Sequence, residues 1–377
     1  MAKGPFRADH VGSFLRPKEL LEARKKYNDG SLDLAGLREV EDRLITEVVR
    51  SQEAAGMKAV TDGDFRRTSW SVDFLTAIDG VEMKSATERI GNHPPKDVPK
   101  GGIVRDWEPP APITTKKLSR PASGIQRESF GFLTSATTQT AKVCIPSPSM
   151  LHFRGGRGGV DGTAYPDMEV FFDEVSAIWR DEIMDLAEGG CRYVQLDDTN
   201  LAYLCDKRLR EKVRGLGENP DQLPHVYARL INEAIKDRPD NMAITVHLCR
   251  GNSLSVGHAE GGYEPVAEKI FNEVKVDGFF LEYDSERAGD FHPLRFVPKG
   301  LKIVLGVVTS KFGELEDTDN LKRRIEEASQ FMPVDQMCLS PQCGFASHTG
   351  GNILEFDQQW AKLSMISELA KEIWEDA

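Results

Sequence analysis

A histidine and a cysteine stand two residues apart in the stretch TVHLCRGN, residues 245–252. The residues just before them, AITV at 243–246, are apolar or β-branched and predict a strand. Side chains at positions i and i+2 of a strand point to the same side. His247 and Cys249 therefore share one face, where an imidazole and a thiolate could bind Zn²⁺ at bond lengths of about 2.0–2.3 Å.

Two ligands are too few for a zinc site, and the predicted ends of two later strands offer the others. They are Glu282 in LEYD (281–284) and Cys343 in SPQCG (340–344). One histidine, two cysteines and a carboxylate give a tetrahedral set, or three fixed ligands with one exchangeable position. Because the ligands come from three different strands, we interpret the site as catalytic. Zinc bound mainly by thiolates also binds an incoming thiol and lowers its pKa, which indicates alkyl transfer onto sulfur.

The elements that must position these residues follow an alternating pattern. Apolar, β-rich runs alternate with segments of helical periodicity, which is typical of βα units and a parallel sheet. The eight runs are 8–13, 58–64, 141–149, 192–198, 243–249, 278–284, 302–310 and 337–343. The clearest helical segments are 167–190, 318–332 and 354–374. The pattern predicts an α/β protein, a single (β/α)8 TIM-type barrel that forms one domain over residues 1–377.

The active site of such a barrel lies at the carboxyl ends of its strands. Polar groups follow every predicted strand at this end: Ser13, Asp62, Asp64, Ser147, Ser149, Asp197, Asp198, His247, Cys249, Glu282, Asp284, Thr309, Lys311 and Cys343. A single polar residue there only marks the start of a loop. Such residues at all eight ends predict a site.

Residues 91–125 break the alternation, because they are rich in Pro, Gly and Lys. They predict an inserted hairpin or an extended loop. The glycine-rich RGGRGG at 154–159 lacks the Lys-Ser/Thr ending of a phosphate-binding loop, so we do not assign it that role.

Composition narrows the class of protein further. The chain of 377 residues has a net charge of −12, which disfavours nonspecific binding to nucleic acid. No apolar run approaches the length of a membrane span, and residues 1–10 lack the apolar run of a secretory signal. Six cysteines in a chain of this length form no disulfide framework. We expect a cytoplasmic protein with reduced thiols.

Six motifs resemble the catalytic barrel of the cobalamin-independent methionine synthase family. They are HVGSF (10–14), TDGD (61–64), VQLDD (194–198), HLC (247–249), LEYD (281–284) and SPQCG (340–344). They occur in the family's order and span nearly the whole chain. The resemblance is closest to the short branch of the family, which has a single catalytic barrel.

The resemblance implies a zinc site and a site for the amino acid homocysteine. The implied zinc ligands are His247, Cys249, Glu282 and Cys343. The backbone at Val11 and the Ser13 hydroxyl would hold the carboxylate of homocysteine. Asp64 and Asp197 would hold its ammonium group, a role that suits two carboxylates. The implied reaction is zinc-dependent methyl transfer from methyltetrahydrofolate or a similar donor to homocysteine, giving methionine. We expect these small-molecule partners, neither nucleic acid nor membrane, and a homo-oligomer is compatible with the sequence.

The sequence departs from the family pattern at two positions. The long enzymes carry a histidine after the seventh strand that can protonate the leaving group, whereas Lys311 ends the corresponding GVVTSK here. We therefore name Lys311 as the candidate proton donor. Asp64 stands where the long enzymes have glutamate, one methylene longer. Both departures leave the methyl donor and the identity of the thiol open.

Two other functions are consistent with the same residues. The first is zinc-dependent alkyl transfer to another thiol, as in epoxyalkane:coenzyme M transferase. A sulfonate thiol would need arginine partners, and the candidates are Arg66, Arg67, Arg154 and Arg250. Asp64 and Asp197 instead favour a thiol with an ammonium group. The second alternative is a non-catalytic barrel that binds zinc or a thiol.

Overall fold

The computed structural model describes residues 3–84 and 111–377. The helices within these residues are α1 (Lys18–Asn28), α2 (Leu34–Ala54), α3 (Val72–Thr76), α4 (Arg127–Ala136), α5 (Met168–Glu188), α6 (Asn200–Tyr203), α7 (Lys207–Gly215), α8 (Leu223–Ile235), α9 (Glu264–Glu273), α10 (Thr318–Ser329) and α11 (Phe356–Ile373). The strands are β1 (Ala59–Val60), β2 (Asp79–Lys84), β3 (Ala111–Ser119), β4 (Thr140–Pro146), β5 (Tyr193–Asp198), β6 (Ala243–Leu248), β7 (Gly278–Glu282), β8 (Lys302–Val308) and β9 (Met337–Pro341).

Seven strands form one parallel sheet in the order β1-β4-β5-β6-β7-β8-β9. Helices follow the strands, as a βα repeat requires. The predicted TIM-type barrel is confirmed. The strands β4, β5, β6, β7 and β9 are buried along their whole length, which explains why they read as continuous apolar runs in the sequence.

The first predicted strand, 8–13, is reduced to a single parallel bridge between Ala8 and Leu339 of β9. On the opposite side, toward β1, side chains replace the backbone ladder. The imidazole Nε2 of His10 lies 3.0 Å from Ala59 O, and the Thr61 hydroxyl donates to Gly12 O at 2.6 Å. The amino-terminal segment thus lies between the two edges of the seven-stranded sheet.

A buried ion pair fixes this amino-terminal segment inside the barrel. The Lys142 ammonium on β4 lies 3.0 Å from the Asp9 carboxylate and donates to His10 O at 2.6 Å. The Tyr193 hydroxyl on β5 donates to the other oxygen of Asp9 at 2.9 Å. Buried charges are tolerated when they are paired and hydrogen-bonded in this way. Ser13 is therefore held in place from within the barrel.

The predicted helix 167–190 is confirmed as α5. It begins after Asp167, whose carboxylate accepts the backbone N–H of Glu169, the expected role of an N-cap aspartate. It ends before Gly190, which has a φ of +93°. Its buried Trp179 donates from the indole nitrogen to Pro146 O, at the carboxyl end of β4, with a distance of 2.6 Å.

The predicted insertion at 91–125 is partly described. Residues 111–119 form β3, which pairs antiparallel with β2 as a separate two-stranded sheet, so this part is a hairpin strand. Residues 91–110 lie outside the described residues. All six cysteines are free and buried, as expected for reduced thiols. Within the described ranges, no helix is both long enough and apolar enough to cross a membrane.

Replacing His10 by glutamine should reduce the loss of stability in acid. Burial and the neighbouring Lys142 lower the pKa of His10 to about 4, although Asp9 opposes them. The imidazole is then neutral in the folded protein but takes a proton in the unfolded chain below about pH 6.5. The unfolded state thus binds more protons between pH 6.5 and 4, and stability falls as the pH falls.

The measurement is the free energy of unfolding by urea at several pH values. Between pH 7 and pH 4, wild type should lose about 3 kcal/mol more than His10→Gln, which is most of the effect of the shift in pKa. Parallel curves for the two proteins would contradict the assignment.

Candidate active site

Three predicted metal ligands meet at the carboxyl end of the barrel. The ligand atoms of His247, Cys249 and Cys343 all lie within 4.8 Å of one another, and all three residues are buried. His247 belongs to β6, Cys249 follows that strand directly, and Cys343 lies two residues after β9. The expectation that the histidine and the first cysteine share one face is confirmed.

The cluster has the composition and spacing that zinc requires. The two sulfurs are 3.4 Å apart, close to the separation of about 3.8 Å expected for two thiolates on one tetrahedral zinc ion. Among the described residues, neither buried ring nitrogen of His247 has a hydrogen-bond partner of standard geometry. A buried imidazole without partners is costly, and a metal ion would satisfy one nitrogen. These residues fit a zinc ion.

The two thiols differ strongly in acidity. The hydrogen bond from Cys249 and the nearby imidazole of His247 hold the pKa of Cys343 well below its usual range, against the effect of burial. The same contact with Cys343, together with burial, raises the pKa of Cys249. These contacts therefore favour the thiolate form of Cys343 over that of Cys249. Metal ligands must lose their protons, so this arrangement favours a cation.

The fourth predicted ligand, Glu282, lies outside this group of three ligand atoms. Its residue ends β7, and the register of β6 and β7, with Leu248 opposite Leu281, brings it beside Cys249. The carboxylate accepts the backbone N–H of Arg250 at 2.8 Å and lies 3.1 Å from the Arg287 guanidinium. Its role as a ligand stays a prediction.

Asp197 lies beside the metal cluster. It pairs with His247 in the register of β5 and β6, so the two side chains are neighbours across the sheet. The Gln195 amide donates to its carboxylate at 2.7 Å. Burial raises the pKa of Asp197 to about 7, and His247 opposes that shift. An ammonium group bound here would stabilise the ionised form.

Ser13 lies against the loop that carries Cys343. A Cβ added at Gly344 would come within 1.9 Å of the Ser13 hydroxyl oxygen, so only glycine fits beside it. The N–H of Phe345 donates to Ser13 O at 2.9 Å and joins the two segments. Val11 O accepts hydrogen bonds from the Gln195 amide at 3.0 Å and from the Cys144 thiol at 3.2 Å. Ser13 thus lies beside the loop of Cys343, whereas Val11 contacts β4 and β5, and their role in binding a carboxylate stays a prediction.

Asp64 has a partner that the sequence analysis did not assign. Its carboxylate forms a buried ion pair with Arg67, whose guanidinium also donates to Cys144 O at 2.8 Å. The backbone of Asp64 has a φ of +63°, and Arg16 donates to its carbonyl oxygen at 3.2 Å. A carboxylate accepts several hydrogen bonds, so the pairing with Arg67 does not conflict with the predicted ammonium contact of Asp64, which stays a prediction.

Lys311, the predicted proton donor, is buried near the cluster. Its ammonium nitrogen lies 3.5 Å from the Asp284 carboxylate, and both side chains are nearly inaccessible to solvent. Burial alone would raise the pKa of Asp284, but Lys311 and Arg287 outweigh it and lower this pKa. Asp284 is thus an anion that pairs with the buried Lys311 ammonium group.

The loop that carries Cys343 is fixed by two polar side chains that sequence analysis missed. Asn252 donates to Gly344 O at 2.9 Å, and the Ser310 hydroxyl donates to the same oxygen at 3.0 Å. Asn252 comes three residues after the HLC motif, and this proximity was the only feature of the sequence that pointed to a role at the site. Together they link the loops after β6, β8 and β9.

The four arginines considered for a sulfonate have different positions. Arg67 pairs with Asp64 in the site, and Arg66 pairs with Asp42 at 2.5 Å. Arg250 is fully buried over the ring of Tyr263, 4.0 Å from its centroid. Arg154 has a buried Nε that lacks a hydrogen-bond partner among the described residues. Arg67, which already has an acidic partner, and Arg154 thus stay the candidates for a sulfonate.

The fold and the cluster together define a TIM-type barrel enzyme with a candidate metal centre at the carboxyl ends of its strands. The family model described as the catalytic domain of cobalamin-independent synthase matches residues 6–355. The chain belongs to the cobalamin-independent methionine synthase family.

Three relatives illustrate this membership. The uncharacterized protein YxjH of Bacillus subtilis is 45% identical over 377 residues, which cover 99% of this chain and 96% of the relative. A crystal structure from Listeria monocytogenes, provisionally assigned as a vitamin-B12-independent methionine synthase, is 38% identical, with a TM-score of 0.75 and 99% of both chains covered. A B12-independent methionine synthase from Shewanella sp. W3-18-1, solved with selenomethionine, shares the fold with a TM-score of 0.71, 18% identity and 97% coverage of both chains.

Proposed function

We propose that this protein is a zinc-dependent methyltransferase that converts homocysteine to methionine. The observation that carries the proposal is the buried group of His247, Cys249 and Cys343 with Asp197 in register beside it. A metal site and a carboxylate for an ammonium group then lie next to each other, as a thiol amino acid requires. The family supports the proposal, and one relative of the same fold was solved with selenomethionine.

In the proposed complex, the protein orients the substrate by its two charged groups. Asp197 and Asp64 hold the ammonium group, while the backbone at Val11 and the hydroxyl of Ser13 hold the carboxylate. The side chain of homocysteine then extends toward Cys343, because Ser13 lies against Gly344. A zinc ion held by His247, Cys249, Cys343 and Glu282 would lower the pKa of the substrate thiol, so that it reacts as a thiolate near neutral pH.

The transfer forms a bond between sulfur and the methyl carbon and breaks the bond between that carbon and the donor. The leaving atom of a methyltetrahydrofolate donor then takes a proton. We assign Lys311 as its source, since the ammonium group is kept near the site by Asp284. The buried surroundings exclude water, and fixed orientation of the thiol and the methyl group supplies much of the rate.

The test is to load the purified protein with zinc, count the bound metal and supply homocysteine with a panel of methyl donors. We expect about one zinc ion per chain. We also expect methionine, detected by mass spectrometry, with methyltetrahydrofolate, its polyglutamate forms or methylcobalamin. Omitting homocysteine or chelating the zinc should abolish the product.

Control substrates separate this function from the two alternatives. Coenzyme M with an epoxyalkane should give no product, and a thioether formed from them would favour the alkyl transferase. Homocysteine binding without turnover by any donor would favour a thiol-binding barrel. Absence of both zinc and homocysteine binding would refute the proposal.

A further inference from the structure

Glu282 has a second set of partners away from the metal cluster. Its side chain is fully buried, and one oxygen accepts the backbone N–H of Arg250 at 2.8 Å. The other oxygen forms an ion pair with Arg287 at 3.1 Å. A buried carboxylate needs such partners, because removing it from water without compensation is costly. This position is therefore a stable one for the carboxylate when it does not bind a metal ion.

The surrounding chain is shaped to place Arg287 there. Gly257, in the loop after β6, has no side chain, and a Cβ at this position would lie 1.2 Å from a guanidinium nitrogen of Arg287. The N–H of Gly261 in the same loop donates to Arg287 O at 2.9 Å. The side chain of Arg287 is only 17% exposed. The loop after β6 thus encloses the arginine and directs it to Glu282.

The backbone of Glu282 is fixed, whereas its carboxylate can lie either beside Arg287 or on the side of the thiols. The Tyr263 hydroxyl accepts the N–H of Glu282 at 2.9 Å, so the main chain is anchored. The carboxylate lies beside the residue that follows Cys249, since it accepts the N–H of Arg250. Rotation of the Glu282 side chain alone would turn its carboxylate from Arg287 toward the thiols of the metal cluster.

We propose that Arg287 is a positioning residue that receives the Glu282 carboxylate when the substrate thiol takes its place on the metal. This inference rests on the proposed function, because it requires zinc at the cluster. Arg287 stabilises the state in which Glu282 is away from the metal, so it makes the fourth coordination position easier to vacate. A ligand can shift such an equilibrium only through different contacts in the two states, and the ion pair provides them.

Replacing Arg287 by glutamine should make zinc bind more tightly and homocysteine more weakly. Without its alternative partner, Glu282 remains on the metal and competes with the thiol. We expect each affinity to change by about tenfold, the lower end of effects seen for groups next to metal ligands. Zinc affinity is measured by competition with a chromophoric chelator. Thiol binding is measured from the visible spectrum of the Co²⁺-loaded protein, whose bands report the ligands.

Further variants and one control distinguish a specific role of Arg287 from a simple loss of folding. Arg287→Lys should restore part of both effects, and Gly257→Ala should imitate Arg287→Gln by displacing the guanidinium group. Arg295→Gln removes an arginine that pairs with Glu264 at a more exposed position, and it should change neither affinity. In the Glu282→Gln background, Arg287→Gln should have no further effect, because the partner is already neutral.

The outcomes distinguish this inference from the proposed function. If the wild-type protein binds no zinc, both fail. If it binds zinc and homocysteine but Arg287→Gln leaves both affinities unchanged, only the role of Arg287 is refuted. Weaker zinc binding by Arg287→Gln would also refute it, since the arginine would then support Glu282 as a ligand instead of receiving it.

Discussion

Replacing Cys343 by serine is expected to remove the metal and to lower kcat/KM for methyl transfer by on the order of 1000-fold. The serine hydroxyl does not ionise near neutral pH, so His247 and Cys249 would remain with one charged ligand fewer. Without the metal, the substrate thiol keeps a pKa of about 8.5 and is only about 3% ionised at pH 7. The smaller fraction of reactive thiolate alone lowers the rate by roughly 30-fold. The remaining loss in kcat/KM comes from the substrate thiol, which the metal no longer orients toward the methyl group. Metal analysis and steady-state kinetics on the same preparation measure both effects.

Cys338→Ser is the matched control, because Cys338 is a buried thiol that belongs to β9 and lies five residues before Cys343. This variant should keep its zinc, although burying a hydroxyl is expected to cost about 1–3 kcal/mol of stability. Full zinc occupancy of Cys343→Ser at wild-type affinity would show that this thiol is not a ligand.

The metal cluster could be predicted from the sequence because its signals are local. His247 and Cys249 lie two residues apart on a run that is recognisable as a strand, and this spacing alone places them on one face. Cys343 follows a similar run. The βα alternation then brings the ends of such strands to one end of a barrel. The structure places all three ligand atoms within 4.8 Å of one another.

The partners of the acidic residues could not be predicted in the same way. Arg67 was visible as an arginine near Asp64, but the sequence did not say which of four arginines would enter the site. Arg287 comes from a loop and meets Glu282 only because Gly257, thirty positions away in the chain, leaves space for it. Contacts of this kind depend on how loops pack, and no periodic pattern records them.

The amino-terminal strand shows the same limit on the scale of the fold. The run 8–13 is predicted as a strand, yet only Ala8 forms a bridge. The following residues use side chains, since His10 contacts Ala59 O and Lys142 binds Asp9 and His10 O. A sequence pattern can predict that such a segment lies in the barrel. It does not reveal whether backbone or side-chain groups form the hydrogen bonds that hold the segment there.

Replacing Asp197 by asparagine is expected to weaken homocysteine binding by roughly 100-fold, the value of a charge-assisted hydrogen bond of about 2–3 kcal/mol. The change keeps the shape of the side chain and removes the negative charge that would face the ammonium group. Binding should be measured by calorimetry at pH 8, above the pKa of about 7 that burial gives Asp197 in the free protein. Zinc content should stay unchanged, because Asp197 is not part of the ligand group.

Binding of a second thiol, which lacks the ammonium group, tests whether Asp197 acts on that group. The compound 4-mercaptobutyrate is homocysteine without its amine, and it keeps both the thiol and the carboxylate. Asp197→Asn should change its affinity by less than about threefold, because no charge-assisted bond is lost. An equal loss for both thiols would mean that Asp197 acts through the neighbouring His247 and not on the substrate. Selective loss for homocysteine would instead support a direct contact between Asp197 and the ammonium group, and would favour a thiol amino acid over a sulfonate thiol.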